Sequence, residues 1–205
     1  MLLLGSKGGC ISLLLVSEHS CTFLNWFNIS DTHWITAIEV SSFVLEGNSD
    51  EFITNGKTLP PDGHFVALIG TSEGQITKRK MTLRGGVLAC SEMGDINQND
   101  KVPVNQISYS PDHALIAFSK GCNLYVHPIE GITKSIRMST QLLSGFSWIS
   151  DHQIAAVSLE GEMRIFDISD FIIQKSLPVV EPNWGAFGAA SSPGSTHLAS
   201  LVKYV

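Results

Sequence analysis

An all-β fold of the β-propeller type follows from three observations on this chain of 205 residues. Two segments repeat each other at one blade length. Both break into short β-rich runs separated by turn residues, and the repeat drifts slowly along its length. The first copy runs Ile107, Tyr109, Ser110, Pro111, Asp112, His113, Leu115 and Ala117, then Gly121, Leu124, Tyr125, Val126 and His127. The second runs Phe146, Trp148, Ser150, Asp151, His152, Ile154 and Ala156, then Gly161, Arg164, Ile165, Phe166 and Asp167. The offset is 39 from Asp112 to Asp151 and 40 from Gly121 to Gly161. It reaches 41 where Ile132, Lys134, Ser135 and Ile136 return as Ile173, Lys175, Ser176 and Leu177. Such drift is what varying loop lengths produce when each unit is a small meander of strands.

The third unit, residues 104–138, is the clearest blade. Its first strand lies near Gln106 to Tyr109, and Ser110, Pro111, Asp112 and His113 turn the chain, because proline presets φ and aspartate bonds the local backbone. Leu115 to Phe118, Asn123 to His127 and Ile132 to Met138 complete it, with Gly121 as a turn. The fourth unit, 145–177, repeats this with Gly145 to Ile149, Gln153 to Ser158, Glu162 to Ile168 and Ile172 to Leu177. A second unit, 33–93, is stretched. His33 to Val40 is its first strand, the turn and second strand resume at Pro61 to Ala67, and Gln75 to Met81 and Gly86 to Glu92 follow. Between the first two, Ser42 to Leu59 has the Gly, Asn, Ser and acidic composition of a surface loop.

Both ends read as partial blades. In 1–30, Leu2 to Gly5 and Ile11 to Val16 resemble the later strands of a blade, and in 184–205 Trp184 to Ala190 and Leu198 to Ser200 open another. The reading is therefore a partial propeller of about four to five blade units, a fragment of a longer ring whose unpaired terminal strands invite self-association, the alternative being that the two ends pair to complete a fourth blade and close a four-bladed ring.

Composition bounds the function. A 43% hydrophobic content supplies a core, and a net charge of −6 with a pI near 5.6 argues against wrapping nucleic acid by bulk electrostatics. The basic run Lys78, Arg79, Lys80, with Arg84 beyond it, lies on a predicted strand. Alternation there splits the three between two faces. Cys10, Cys21, Cys90 and Cys122 are too scattered for a zinc knuckle and read as buried thiols of a reducing compartment. The apolar start Met1 to Leu4 runs at once into Gly5, Lys7, Gly8 and Gly9, which fits neither a signal peptide nor a membrane span. Asn28, Ile29 and Ser30 match a glycosylation acceptor, which matters only in a secreted protein.

No catalytic pattern emerges. There is no G-x-S-x-G elbow, and the seven histidines show no metal-ligand spacing. Gly70 to Gln75 imitates a phosphate loop but has Gln75 where lysine is needed and no helix to follow. His64, His113 and His152 recur at one turn position, and turn chemistry explains them better than a ring of ligands, since equivalent turns of different blades are expected to lie far apart. Trp34, Trp148 and Trp184 sit in or beside first strands and read as core. Asp151, Glu160 and Asp167 share a unit without the placement of an acid and base pair. No catalytic residue, cofactor or metal is expected. Partner binding falls on the two long polar connections, Ser42 to Leu59 with Glu46, Asp50 and Glu51, and Gly94 to Pro103 with Asp95 and Asp100.

From Trp34 onward the units resemble WD-repeat propellers in strand order, in the Ser-Pro-Asp turn and in the Phe166, Asp167 ending. Only His33 matches the Gly-His position of that family, so its buried hydrogen-bond tetrad is mostly absent here. A narrower resemblance covers about a third of the chain. It comprises Leu3, Leu4, Gly5, Ser6, Lys7, Gly8, Gly9, Ile11 and Ser12, then Phe23 and Leu24, then His33, Trp34, Ile35, Thr36, Ala37 and Ile38 before a long loop. These are similar to the propeller of the delta-type subunits of RNA polymerase III transcription factor IIIC. That resemblance implies a nuclear, noncatalytic assembly platform within a promoter-binding complex. Its partners would be other protein subunits, DNA would be met only through the complex, and neither membrane nor small-molecule substrate is involved. No residue matches an acetyl-coenzyme A motif, so acetyltransferase activity does not carry over. The competing readings are a cytoplasmic adaptor of trafficking or ubiquitin transfer, and a propeller hydrolase or lyase with titratable groups converging on a central channel.

Overall fold

The computed structural model describes residues 2–16, 21–46, 53–54, 57–58, 62–96, 100–128, 134–137, 142–159, 161–169, 172–178, 184–191 and 198–204. Among them every regular element is a β-strand, and all strand pairing is antiparallel. The chain divides into two compact units, Met1–Pro103 and Val104–Val205.

In the first unit, β1 (Leu2–Gly5), β2 (Cys10–Val16) and β3 (Cys21–Asn28) form a three-stranded sheet with β2 central. The sequence reading anticipates only the first two of these strands. A second sheet follows. It contains β4 (Ile35–Val40) and β5 (Val44–Leu45), while β6 (Ile53–Thr54) and β7 (Lys57–Thr58) pair as a separate small ladder. The second sheet continues with β8 (Gly63–Thr71), β9 (Ile76–Arg84) and β10 (Val87–Ile96), in the order β10-β9-β8-β4 with β5 also on β8.

Alternation along the strands sets the core. Ile11 and Leu13 on β2 are completely buried and meet Phe65, Ala67 and Ile69 of β8 and Met81 and Leu83 of β9. The two sheets thus stack face to face around one apolar layer. On β9, Arg79 lies opposite Ala67 and Lys78 and Lys80 lie opposite Leu68 and Val66, so the basic run is divided between faces as alternation requires.

In the second unit, β11 (Val104–Tyr109), β12 (Leu115–Lys120), β13 (Asn123–Pro128) and β14 (Lys134–Arg137) form a meander. A like meander follows in β15 (Leu143–Ser150), β16 (Gln153–Ser158), β17 (Glu162–Asp167) and β18 (Ile172–Pro178). β19 (Trp184–Ser191) and β20 (Leu198–Tyr204) pair as a hairpin. Ala117, Leu124 and Val126 of one meander pack on Phe146, Trp148, Ile154, Ala156 and Phe166 of the next. The repeat visible in the sequence is therefore a repeat of sheets. Gly121 and Gly161, 40 residues apart, both turn with positive φ, 56° and 80°.

Two segments read as loops are partly sheet. Ser42 to Leu59 contains β5, which extends the second sheet, and the β6–β7 ladder. Gly94 to Ile96 continue β10 past a bulge between Glu92 and Gly94, which shortens the connection expected from Gly94 to Pro103. A bulge lets a strand keep pairing through a glycine that reads as a break. The cysteines also differ from expectation. Cys21 is exposed, Cys10, Cys90 and Cys122 are half-buried, and no disulfide joins them. Burial raises the Cys90 thiol pKa, with Arg79 nearby acting in the opposite sense.

Candidate interaction site

An open cavity of about 390 Å³ lies in the first unit. Its apolar wall is Leu3, Leu13, Ile38, Phe43 and Phe65, and its rim carries Glu39, Val40 and Ser41. The chain builds it by interrupting an edge strand. β4 ends at Val40, and Ser41 takes over the pairing, its N–H donating to the Val66 carbonyl at 2.8 Å while its hydroxyl accepts from the Val66 N–H at 2.9 Å. The detour turns the Phe43 ring toward Phe65, with centroids 6.3 Å apart. Val44 then resumes pairing opposite His64.

Beyond β5, Glu46 fastens the chain. Its N–H donates to the Asp62 carbonyl at 3.0 Å, and its carboxylate lies 2.8 Å from both Arg84 Nη2 and His64 Nδ1. Hydrogen bonding to Arg84 and then to His64 holds the Glu46 carboxyl below its ordinary pKa of 4.5. A carboxyl lowered by folding stabilises the native state above its unfolded pKa, and that contribution disappears as pH falls through the folded value. Wild-type protein is therefore expected to melt slightly above Glu46→Gln at neutral pH, with the gap closing as the pH falls from 4.5 through the lowered folded value, and the gap is small because the pair is exposed. Thermal melts of both proteins across that range check this. An undiminished gap in acid would remove the carboxylate from the explanation.

The predicted binding residues separate. Glu46 belongs to this clasp with His64 and Arg84 and does not line the cavity. Asp50 and Glu51 lie outside the described residues. Asp95 is exposed on β10 opposite Thr77, and Asp100 is half-buried ahead of β11. Among the described residues no group of three or more His, Cys, Asp or Glu could hold a metal ion. The segment that imitates a phosphate loop is the hairpin between β8 and β9, where Thr71 Oγ1 accepts from the Gln75 N–H and Ser72 bonds the backbone of Trp34.

Two expectations need correction. Trp148 is buried, but Trp34 is 51% exposed, with Lys7 Nζ 4.9 Å from the centre of its ring. The side chain of Trp184 lies outside what is described. Equivalent turns are also in contact rather than far apart, because stacked sheets bring them together. The Asp112 N–H donates to Asp151 Oδ1 at 3.1 Å. Asp112 is itself held by the Ser110 hydroxyl at 2.6 Å and the Ala114 N–H at 3.0 Å, which lower its pKa, and His113 completes the turn at φ 59°.

Sequence reasoning missed the buried polar groups. Lys120 is 1% exposed, with its ammonium 5.7 Å from the ring centres of both Phe118 and Tyr125. A lysine at the end of a strand reads as solvated, and only the flanking aromatics hinted otherwise. Thr77 Oγ1, Arg79 Nε and Ser119 Oγ are buried without a hydrogen-bond partner among the described residues, although Arg79 pairs with Glu92 through its Nη1. No protein-family model matches the chain, and neither does any curated protein.

Proposed function

We propose that this chain is a noncatalytic protein-interaction scaffold, a WD-repeat-like propeller region of about four to five blades acting as an assembly subunit like the delta-type subunits of transcription factor IIIC. The observation that carries the reading is the contact of Asp112 with Asp151, because it joins residues one sequence period apart at the same corner of successive sheets. A series of sheets stacked with that regularity is the building principle of a propeller. The resemblance at Leu3 to Ser12 and His33 to Ile38 supplies the nuclear, polymerase III assignment.

The cavity behind Phe43 supplies the binding element of this proposal. Its wall is apolar, its rim includes Glu39, and the chain carries a net charge of −6. The matching occupant is an apolar side chain on a partner subunit, flanked by basic residues, with burial providing affinity and charge providing steering. Tagged protein recovered from nuclear extract is expected to bring polymerase III factor subunits with it. Val40→Arg, at a rim position 42% exposed, is expected to lose them with its melting curve unchanged. Recovery of coat or ubiquitin-ligase subunits instead would overturn the nuclear assignment, and full recovery with Val40→Arg would overturn the role of the cavity.

A further inference from the structure

The strap that follows β4, residues 41–46, is held on β8 more by polar fastenings than by burial. Val44 and Leu45, which pair with β8, are both about half exposed, and Phe43 is the strap residue that packs against the core. The remaining attachments lie at its two ends. At one, Ser41 makes its paired bonds with Val66, and at the other Glu46 is clasped by the Asp62 carbonyl, His64 and Arg84. Arg84 is 72% exposed, and ion pairs so open to water are readily exchanged for it. A segment with few buried contacts and exposed bonds opens locally while the sheet beneath stays folded. Gly63 marks where such opening would be felt. A Cβ there would overlap both the Val44 carbonyl oxygen and the Phe43 ring, so the ring lies directly on the β8 backbone, three residues before Glu46.

We propose that this strap is a latch on the cavity, with Glu46 as its catch and Phe43 as its movable wall. Fastened, it holds the Phe43 ring in line with Leu3, Leu13, Ile38 and Phe65, and the apolar wall is complete. Released at Glu46, it pivots on Ser41 and lifts the ring from Gly63, which widens the cavity toward solvent. The catch is electrostatic. The Glu46 carboxylate faces the Arg84 guanidinium and the His64 imidazole, and Asp62 is the second acid acting on Arg84. A basic residue carried by a partner competes for the same carboxylate, so docking and opening favour each other. That coupling rests on the cavity being the partner-binding element, whereas the latch itself does not.

Amide hydrogen exchange on the intact chain, read by NMR, tests the latch without a partner. Arg84→Glu sets a like charge against Glu46. The Glu46 amide, bonded to the Asp62 carbonyl, is then expected to exchange about five times faster, while the Ser41 amide at the pivot keeps its wild-type rate. Combining Arg84→Glu with Glu46→Arg restores an ion pair and is expected to restore slow exchange at position 46, which a generally loosened sheet would not do. The neutral fluorophore 1-N-phenylnaphthylamine reads the wall. It is expected to bind more strongly to Arg84→Glu, and also to Gly63→Ala, where the added methyl lifts the ring with the clasp still in place. Melting curves verify folding, and Arg84→Gln gives the same changes, smaller, should the glutamate variant not fold. Equal exchange at Glu46 in variant and wild type would overturn the catch, and faster exchange with unchanged fluorophore binding would overturn the wall. Both changes in a protein that recovers no partner subunit would uphold the latch and remove only the partner reading.

Discussion

Replacing Gly9 by alanine is expected to cost about 3 kcal/mol or more of folding stability, combining left-handed backbone strain with an overlap that cannot relax. Gly9 has φ 74°, and a Cβ there would overlap the Ser30 carbonyl oxygen and come within 2.9 Å of the His33 carbonyl oxygen. The glycine cannot move aside. Its carbonyl accepts from the Ile29 N–H at 2.9 Å and the Ser30 N–H at 3.2 Å, and its own N–H donates to Ser6. Gly85→Ala is the control, since Gly85 also has positive φ, 55°, but open space where the Cβ would go. Only the conformational part, about 1–2 kcal/mol, is expected there. Urea unfolding of both variants separates the two terms, and equal losses would show that the close approach of Ser30 contributes nothing.

Phe146→Ala is expected to cost about 3–5 kcal/mol, a large share of the roughly 5–15 kcal/mol that holds a typical domain together. The ring is completely buried, and its cluster draws on two sheets, with Ala117, Leu124 and Val126 from one and Trp148, Ile154 and Phe166 from the other. Its removal leaves a void where the sheets meet. Phe146→Leu retains most of the volume and is expected to lose much less. Denaturant titration with an unchanged slope is the measurement, and a loss below about 1 kcal/mol for alanine would mean the sheets close over the gap.

Legibility in the sequence followed the period. β11 to β13 and β15 to β17 lie close to where the repeat of Ser110 to His127 and Ser150 to Asp167 puts them, because turn residues and alternating apolar positions recur together there. β3 escaped notice because its bulge breaks the alternation of Phe23 and Trp26, and alternation is the signal by which a strand is read. Glu46 was legible as an acid on a polar connection, but its pairing with His64 and Arg84 spans 18 and 38 residues, a separation at which local pattern is silent. Burial of Lys120 depends on tertiary packing and left no mark in its neighbours beyond Phe118 and Tyr125.

Gln106 carries the last consequence. Its side-chain amide donates to the Phe146 carbonyl at 2.9 Å and accepts from the Phe146 N–H at 3.0 Å, the two bonds a peptide group of a neighbouring strand would make. A carboxamide does not titrate and carries no net charge, so neither acid nor salt loosens this fastening, whereas the Asp112 carboxylate, held low by Ser110 and Ala114, gives up that stabilisation when acid protonates it. The two meanders therefore have one seam with two temperaments. In acid the seam is expected to loosen first at the Asp112 turn, with amide exchange at Phe146 staying the slower of the two.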